Sequence, residues 1–258
     1  MLCRDIMKVI ETTYPKHAAL EWDNVGLLVG RTEKEVKKIY VALDATDEVI
    51  DEAIDSGADM LITHHPLLFS PLKKITDEHF IGGRVVRLLQ HDISYYAMHT
   101  NYDVLGMAEL SGRMLGLNEM EVLEVTDSEQ MEGIGRVGIF AEEMPLRECC
   151  KLVKEKFQLD GVKVFGDLDA KVKRVAISPG SGKHMTQLAL EKCADVFVTA
   201  EIDHHEGIDA VAQGMAIIDA GHYGLEHIFI EDVSEYLREK IQGVDIVTAP
   251  KKHPFQLV

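Results

Sequence analysis

Residues 58–66 read Ala-Asp-Met-Leu-Ile-Thr-His-His-Pro: a short apolar run that ends abruptly in two histidines and a proline. The residues before it explain the run. Ile39–Leu43 (IYVAL) is β-rich, and Asp44 and Thr46 follow as turn and helix-capping residues. Asp47 and Glu48 sit where a helix start favours negative charge. Val49, Ile50, Ala53 and Ile54 recur at helical spacing, and Gly57 is a good C-terminal stop. Strand, helix, strand is the repeating unit of α/β layering.

The stretch has an echo. Residues 194–199 read ADVFVT against ADMLIT at 58–63, with three of six positions identical and the rest apolar in both. Arg174–Ile177 (RVAI) is the preceding strand, Pro179-Gly180-Ser181-Gly182 the turn, and Met185, Leu188, Ala189 and Lys192 lie on the helix between. From Val-Ala to Ala-Asp the spacing is 17 residues in the first copy (41 to 58) and 19 in the second (175 to 194). Downstream, Ala97-Met98-His99 precedes Asp103 as Ala220-Gly221-His222 precedes Glu226. Ordered matches in three successive blocks point to an internal duplication. The expected fold is therefore α/β: two similar α/β lobes, residues 1–125 and 126–258, with a metal site between them. Residues 118–135 are expected to join the lobes. Strands at Arg136–Ala141 and Val162–Phe165 should flank a helix opened by Pro145, and Glu231–Lys240 reads as a surface helix.

Composition limits the function classes. The 258 residues are 46% hydrophobic and 28% charged, which suits a folded core. A formal charge of −17 argues against nucleic acid as a partner. No run reaches the length of a membrane span, and the N-terminus has no signal-peptide core. The four cysteines include no C-x-x-C pair. A cytoplasmic protein is expected.

The histidines matter by placement. His64 and His65 end an apolar strand, the position where open α/β sheets build sites. Neighbours in an extended segment face opposite ways, so each could serve one of two metals. His99 with Asp103, and His222 with Glu226, have the four-residue spacing that brings an imidazole and a carboxylate to one helix face. Alone, each signal also fits a hydrogen-bonded loop or helix-surface pair. Mixed His and carboxylate ligation suits zinc, iron or manganese. His204 and His205 are displaced from the position equivalent to His64 and His65 and read as pocket lining or a solvated loop. Residues 179–183 lack the spacing of a P-loop. The only tryptophan lies in Glu21-Trp22-Asp23-Asn24, near the site or at a packed strand entry.

Together, EWDNVGLLVG (21–30), LITHHPLLF (61–69), MHTNYDV (98–104), TAEIDHH (199–205) and GHYGLEH (221–227) resemble the Nif-three-like dinuclear-metal family, often named GTP cyclohydrolase I type 2 homologs. They stand in the family's order, cover nearly the whole chain and match its short form. The resemblance implies two divalent metal ions held by His64, His65, Asp103, His222 and Glu226, with His99 behind them or as an occasional ligand. It also implies a ring-shaped homohexamer. Metal-dependent hydrolysis of a nucleotide-like or other small substrate is the expected activity. A non-enzymatic metal-binding or regulatory assembly role is the alternative.

Overall fold

The computed structural model describes residues 1–256. In chain order the strands are β1 (Gly26–Val29), β2 (Lys38–Ala42), β3 (Met60–Thr63), β4 (Ser94–Ala97), β5 (Asn118–Asp127), β6 (Glu132–Pro145), β7 (Lys163–Phe165), β8 (Lys171–Ser181), β9 (Val196–Ala200), β10 (Ala216–Asp219) and β11 (Asp245–Thr248). They form two sheets, ordered β1-β4-β3-β2-β11 and β5-β6-β8-β9-β10-β7. The architecture is mixed α/β. Among the described residues, no helix is long and apolar enough to cross a membrane.

Two compact units result among the described residues, one of residues 1–102 with 229–252, the other of residues 103–228 with 253–256. The division falls after residue 102 and not at the expected residue 125, and the first unit does not end there but takes in residues 229–252 as well. β5 is antiparallel to β6, so the stretch read as a connector is a strand of the second sheet. β11 lies parallel to β2 in the first sheet, so the chain returns there at its C-terminal end. The returning helix, Ile228–Lys240, is no mere surface helix. Phe229, Val233, Ser234 and Leu237 are fully buried along one face. The Tyr102 hydroxyl donates to Asp232 (2.7 Å), and Tyr236 donates to the Val9 carbonyl (2.8 Å).

In the first unit β2, β3 and β4 run parallel, with Ile39 opposite Met60 and Met60 opposite Ser94. In the second, β8, β9 and β10 do the same, with Val175 opposite Val196 and Val196 opposite Ala216. The strand-to-strand step is thus 21 residues in both copies (39 to 60, 175 to 196). Ile39 and Val175 are therefore the equivalent positions, so the Val-Ala dipeptides at 41–42 and 175–176 are not, which is why their spacings of 17 and 19 differ. The same aspartate brackets each sheet. Asp59 accepts from the backbone N–H groups of Lys37 and Lys38, and Asp195 from those of Lys173 and Arg174.

The cores follow from the patterning. In the first unit Ile50 and Ala53 from the helix Asp47–Asp55, with Val85 and Leu88 from the helix Phe80–Gln90, pack with Leu61 and Tyr95. Thr46 caps the helix Asp47–Asp55 as expected, accepting from the Val49 N–H (3.2 Å). In the second, Val137, Ala176, Phe197 and Ile217 pack with Ala189 and Ala210.

Candidate metal centre

The first unit gathers three histidines. β3 stops at Thr63, and residues 64–65 form a bend, so the chain is no longer extended where the histidines lie. Their rings therefore do not face opposite ways, as an extended segment would require, but stand 4.8 Å apart. The bend is held from inside. Thr63 Oγ1 and the Tyr95 hydroxyl both donate to the His65 carbonyl (2.8 and 2.9 Å), and the Leu67 N–H donates to Tyr95 (2.8 Å). Burial pushes the Tyr95 phenol up, so it stays protonated and available as a donor.

Each of the three imidazoles is fixed through Nδ1. That nitrogen lies 2.8 Å from the Met98 carbonyl in His64, 2.7 Å from Asp44 in His65 and 2.9 Å from Asp23 in His99. A carbonyl oxygen or an ionised carboxylate can only accept, so Nδ1 carries the proton and Nε2 presents its lone pair. This is how ligating histidines are ordinarily oriented. One ligand atom from each of His64, His65 and His99 lies within 4.8 Å of the others. His64 is completely buried, so its imidazole is oriented with no freedom to spare.

Asp23 is the best-held of the three acceptors. Its side chain is wholly inaccessible and also accepts from the N–H and Oγ1 of Thr100 (3.0 and 2.5 Å). Burial raises the Asp23 carboxyl, but the bonds from His99 and Thr100 outweigh it and bring it down from 3.8 to about 2. The four-residue spacing of His99 and Asp103 does not put both on one helical face. His99 precedes the short helix Thr100–Tyr102, and Asp103 opens a π-helical segment, Asp103–Met107. Such wide turns recur at functional sites.

The second unit supplies His222 and Glu226, one turn apart on the helix His222–Glu226 as the spacing predicts. His222 Nε2 is 2.9 Å from Glu226, and its Nδ1 is 3.1 Å from Glu201. Glu226 is almost fully buried. Gly180 makes its room: a Cβ there would lie 2.6 Å from Glu226 Oε1, and Gly180 has φ +78°. Asp219, at the end of β10, organises the surrounding backbone by accepting from Glu201, Ile202 and Gly221 (3.2, 3.3 and 3.1 Å).

The sequence reading missed Asp44, Asp23, Glu201 and Asp219 as supporting groups. Asp44 looked like a turn residue, and nothing local reveals that its oxygen meets a histidine 21 residues on. Asp23 had a signal, since it neighbours the only tryptophan in a stretch judged near the site. His204 and His205 are exposed at the first turn of the helix His204–Ala212.

The model of the family Duf34/NIF3 (NGG1p interacting factor 3) matches residues 1–254. The chain belongs to this family. Among its relatives, the GTP cyclohydrolase 1 type 2 homolog of Clostridium perfringens is 35% identical over 100% of both chains. That of Lactococcus lactis is 38% identical over 99% of both. The crystal structure of Staphylococcus aureus SA1388 superposes with a TM-score of 0.90 at 30% identity, covering 100% of this chain and 99% of that one. Reduced HcgD from Methanocaldococcus jannaschii does so with a TM-score of 0.85 at 31% identity, covering 96% and 97%. The near-complete coverage fits the short form of Duf34/NIF3 proteins, and the His/carboxylate groups of this member could hold metal.

Proposed function

We propose that this Duf34/NIF3 protein holds two divalent cations through His64, His65, Asp103, His222 and Glu226, with His99 as an additional ligand or a supporting group. The observation that carries the reading is the set of three imidazoles pinned at Nδ1, with ligand atoms within 4.8 Å of one another. Zinc, iron and manganese fit this donor set best. Metal held by these residues would supply Lewis-acid activation of water and of the bond under attack, and hydrolysis of a small, nucleotide-like substrate is the function proposed. The chain's own contribution is orientation. Asp44, Asp23 and the Met98 carbonyl hold the imidazole tautomers, while Glu201 steadies His222. From the family likeness the protein is also proposed to assemble as a ring-shaped homohexamer.

The test is metal analysis of protein reconstituted separately with zinc, iron(II) and manganese. A panel of nucleotides, phosphoesters and amides follows, including GTP with detection of formate. Two ions per chain and turnover of one substrate class are expected. Protein that retains no metal overturns the proposal. Full loading without turnover on any member of the panel leaves the metal-binding alternative in its place.

A further inference from the structure

Two aromatic rings beside the three-histidine group are left half-exposed on a rigid support. Trp22, the only tryptophan, is 57% exposed, and Phe69 is 55% exposed. Single exposed rings are ordinary on a protein surface. These two are paired, with centroids 5.6 Å apart and planes inclined by 32°. Each meets the His99 imidazole edge-on, at 5.9 Å and 71° for Trp22 and 5.8 Å and 67° for Phe69. His99 in turn stands 5.2 Å from His64 and 5.7 Å from His65.

The support explains why the rings stay exposed. The Asp23 N–H donates to the Leu20 carbonyl (3.0 Å), closing the turn that carries Trp22. The Asp23 carboxylate is locked by Thr100 and His99. Asn24 Nδ2 donates to the Leu68 carbonyl (2.5 Å), tying the Trp22 turn to the loop that carries Phe69. These bonds hold the backbone from which both rings project. Phe80, also exposed, is different. Its ring stacks on His79 and lies under the Arg84 guanidinium, so local partners account for it.

We propose that Trp22 and Phe69 form a stacking shelf for the planar unsaturated ring of a small-molecule ligand, with His99 as the wall at its inner edge. The proposal rests on the metal-centre reading, because it takes the ring to be part of that centre's substrate. The two rings pack on each other at 5.6 Å and 32°, and the aromatic surface they leave exposed favours a flat partner over an aliphatic one; stacking of a base on an aromatic side chain contributes about 1–3 kcal/mol.

The lone tryptophan reports directly on the shelf. Metal-loaded and chelator-stripped proteins are titrated with guanosine 5′-monophosphate and with nicotinamide mononucleotide. Ribose 5-phosphate serves as the control without a ring. Saturable change of tryptophan emission by at least one ring-bearing probe, and none by the control, is expected. Phe69→Ala should weaken that binding about tenfold, and Phe69→Leu should not restore it. Absence of any response in protein shown to carry metal overturns the shelf. So does full rescue by Phe69→Leu, which marks a generic apolar contact. Emission that tracks protein concentration and ignores both probes also overturns it, since a second copy then covers the rings. Ring binding by protein that retains no metal leaves the shelf standing and sinks the metal reading, so the two fail separately.

Discussion

The ends of β3 and β9 occupy the same place in two copies of one ladder, yet they do different work. Thr63 closes β3, whereas its equivalent Thr199 is the last-but-one residue of β9, which runs on to Ala200; each strand is preceded by the same aspartate contact. Beyond them the first copy continues His64-His65 and the second Ala200-Glu201. In the first unit the strand end itself bears the imidazoles. In the second, Glu201 only steadies His222, and the imidazole comes from the helix after β10. The backbone pairing up to Thr63 and Thr199 is the same in both copies, and the two differ past it: the His65 N–H donates to the Leu43 carbonyl at a bend, while Ala200 still pairs with Ser181 in the sheet. Scaffold and chemistry diverge within a residue or two of the shared ladder.

The largest effect should come from the groups that would touch metal. His64→Ala and Glu226→Gln are each expected to remove most bound metal, measured per chain after reconstitution, while the far-ultraviolet spectrum stays that of the folded protein. Unchanged metal content in both would break the functional half of the comparison. Next come the acceptors behind the imidazoles. Asp44→Asn and Asp23→Asn should weaken metal affinity about 10–100-fold, read by competition with a chelator. A loss no greater than that of a remote surface substitution would show that the tautomers need no such support.

Asp23 also predicts a dependence on pH in metal-free protein. Its carboxyl is held near 2 in the folded chain, below its ordinary value of 3.8. The folded state therefore binds this proton less readily than the unfolded one. The stabilisation, about 2 kcal/mol, is complete above about pH 4 and is lost as pH falls toward 2. Asp23→Asn should flatten that part of the acid-unfolding profile; an unaltered profile contradicts the assignment. The smallest effect sharpens the structural half. Asp59→Asn and Asp195→Asn should each cost about 1–2 kcal/mol in denaturant unfolding, with little difference between them. Marked inequality would mean that the two brackets are not equivalent supports.

Much of this was legible beforehand because local patterns carried it. Strands β2, β3, β8 and β9 are visible as apolar runs, and the helix Asp47–Asp55 as a helical pattern with its Thr46 cap. β5 was not: its sequence NEMEVLEVTD is largely exposed, so burial imposed no apolar alternation to read. β11 is four residues long and pairs with a strand more than 200 positions earlier. Residue type and spacing mark the candidate ligands, but the alternation of an extended strand does not reach His64 and His65, because β3 ends at Thr63 and the chain bends there.

By itself the sequence determined the α/β class, the duplicated unit and the residues able to hold metal, since periodicity and residue chemistry are local properties. Only the tertiary structure decided which sheet each segment joins, that His64 and His65 converge, and which oxygen fixes each imidazole. Those outcomes depend on hydrogen bonds between residues far apart in the chain, as with Asp23 and His99, 76 positions apart. An aspartate carries no mark of its partner until the chain has folded around it.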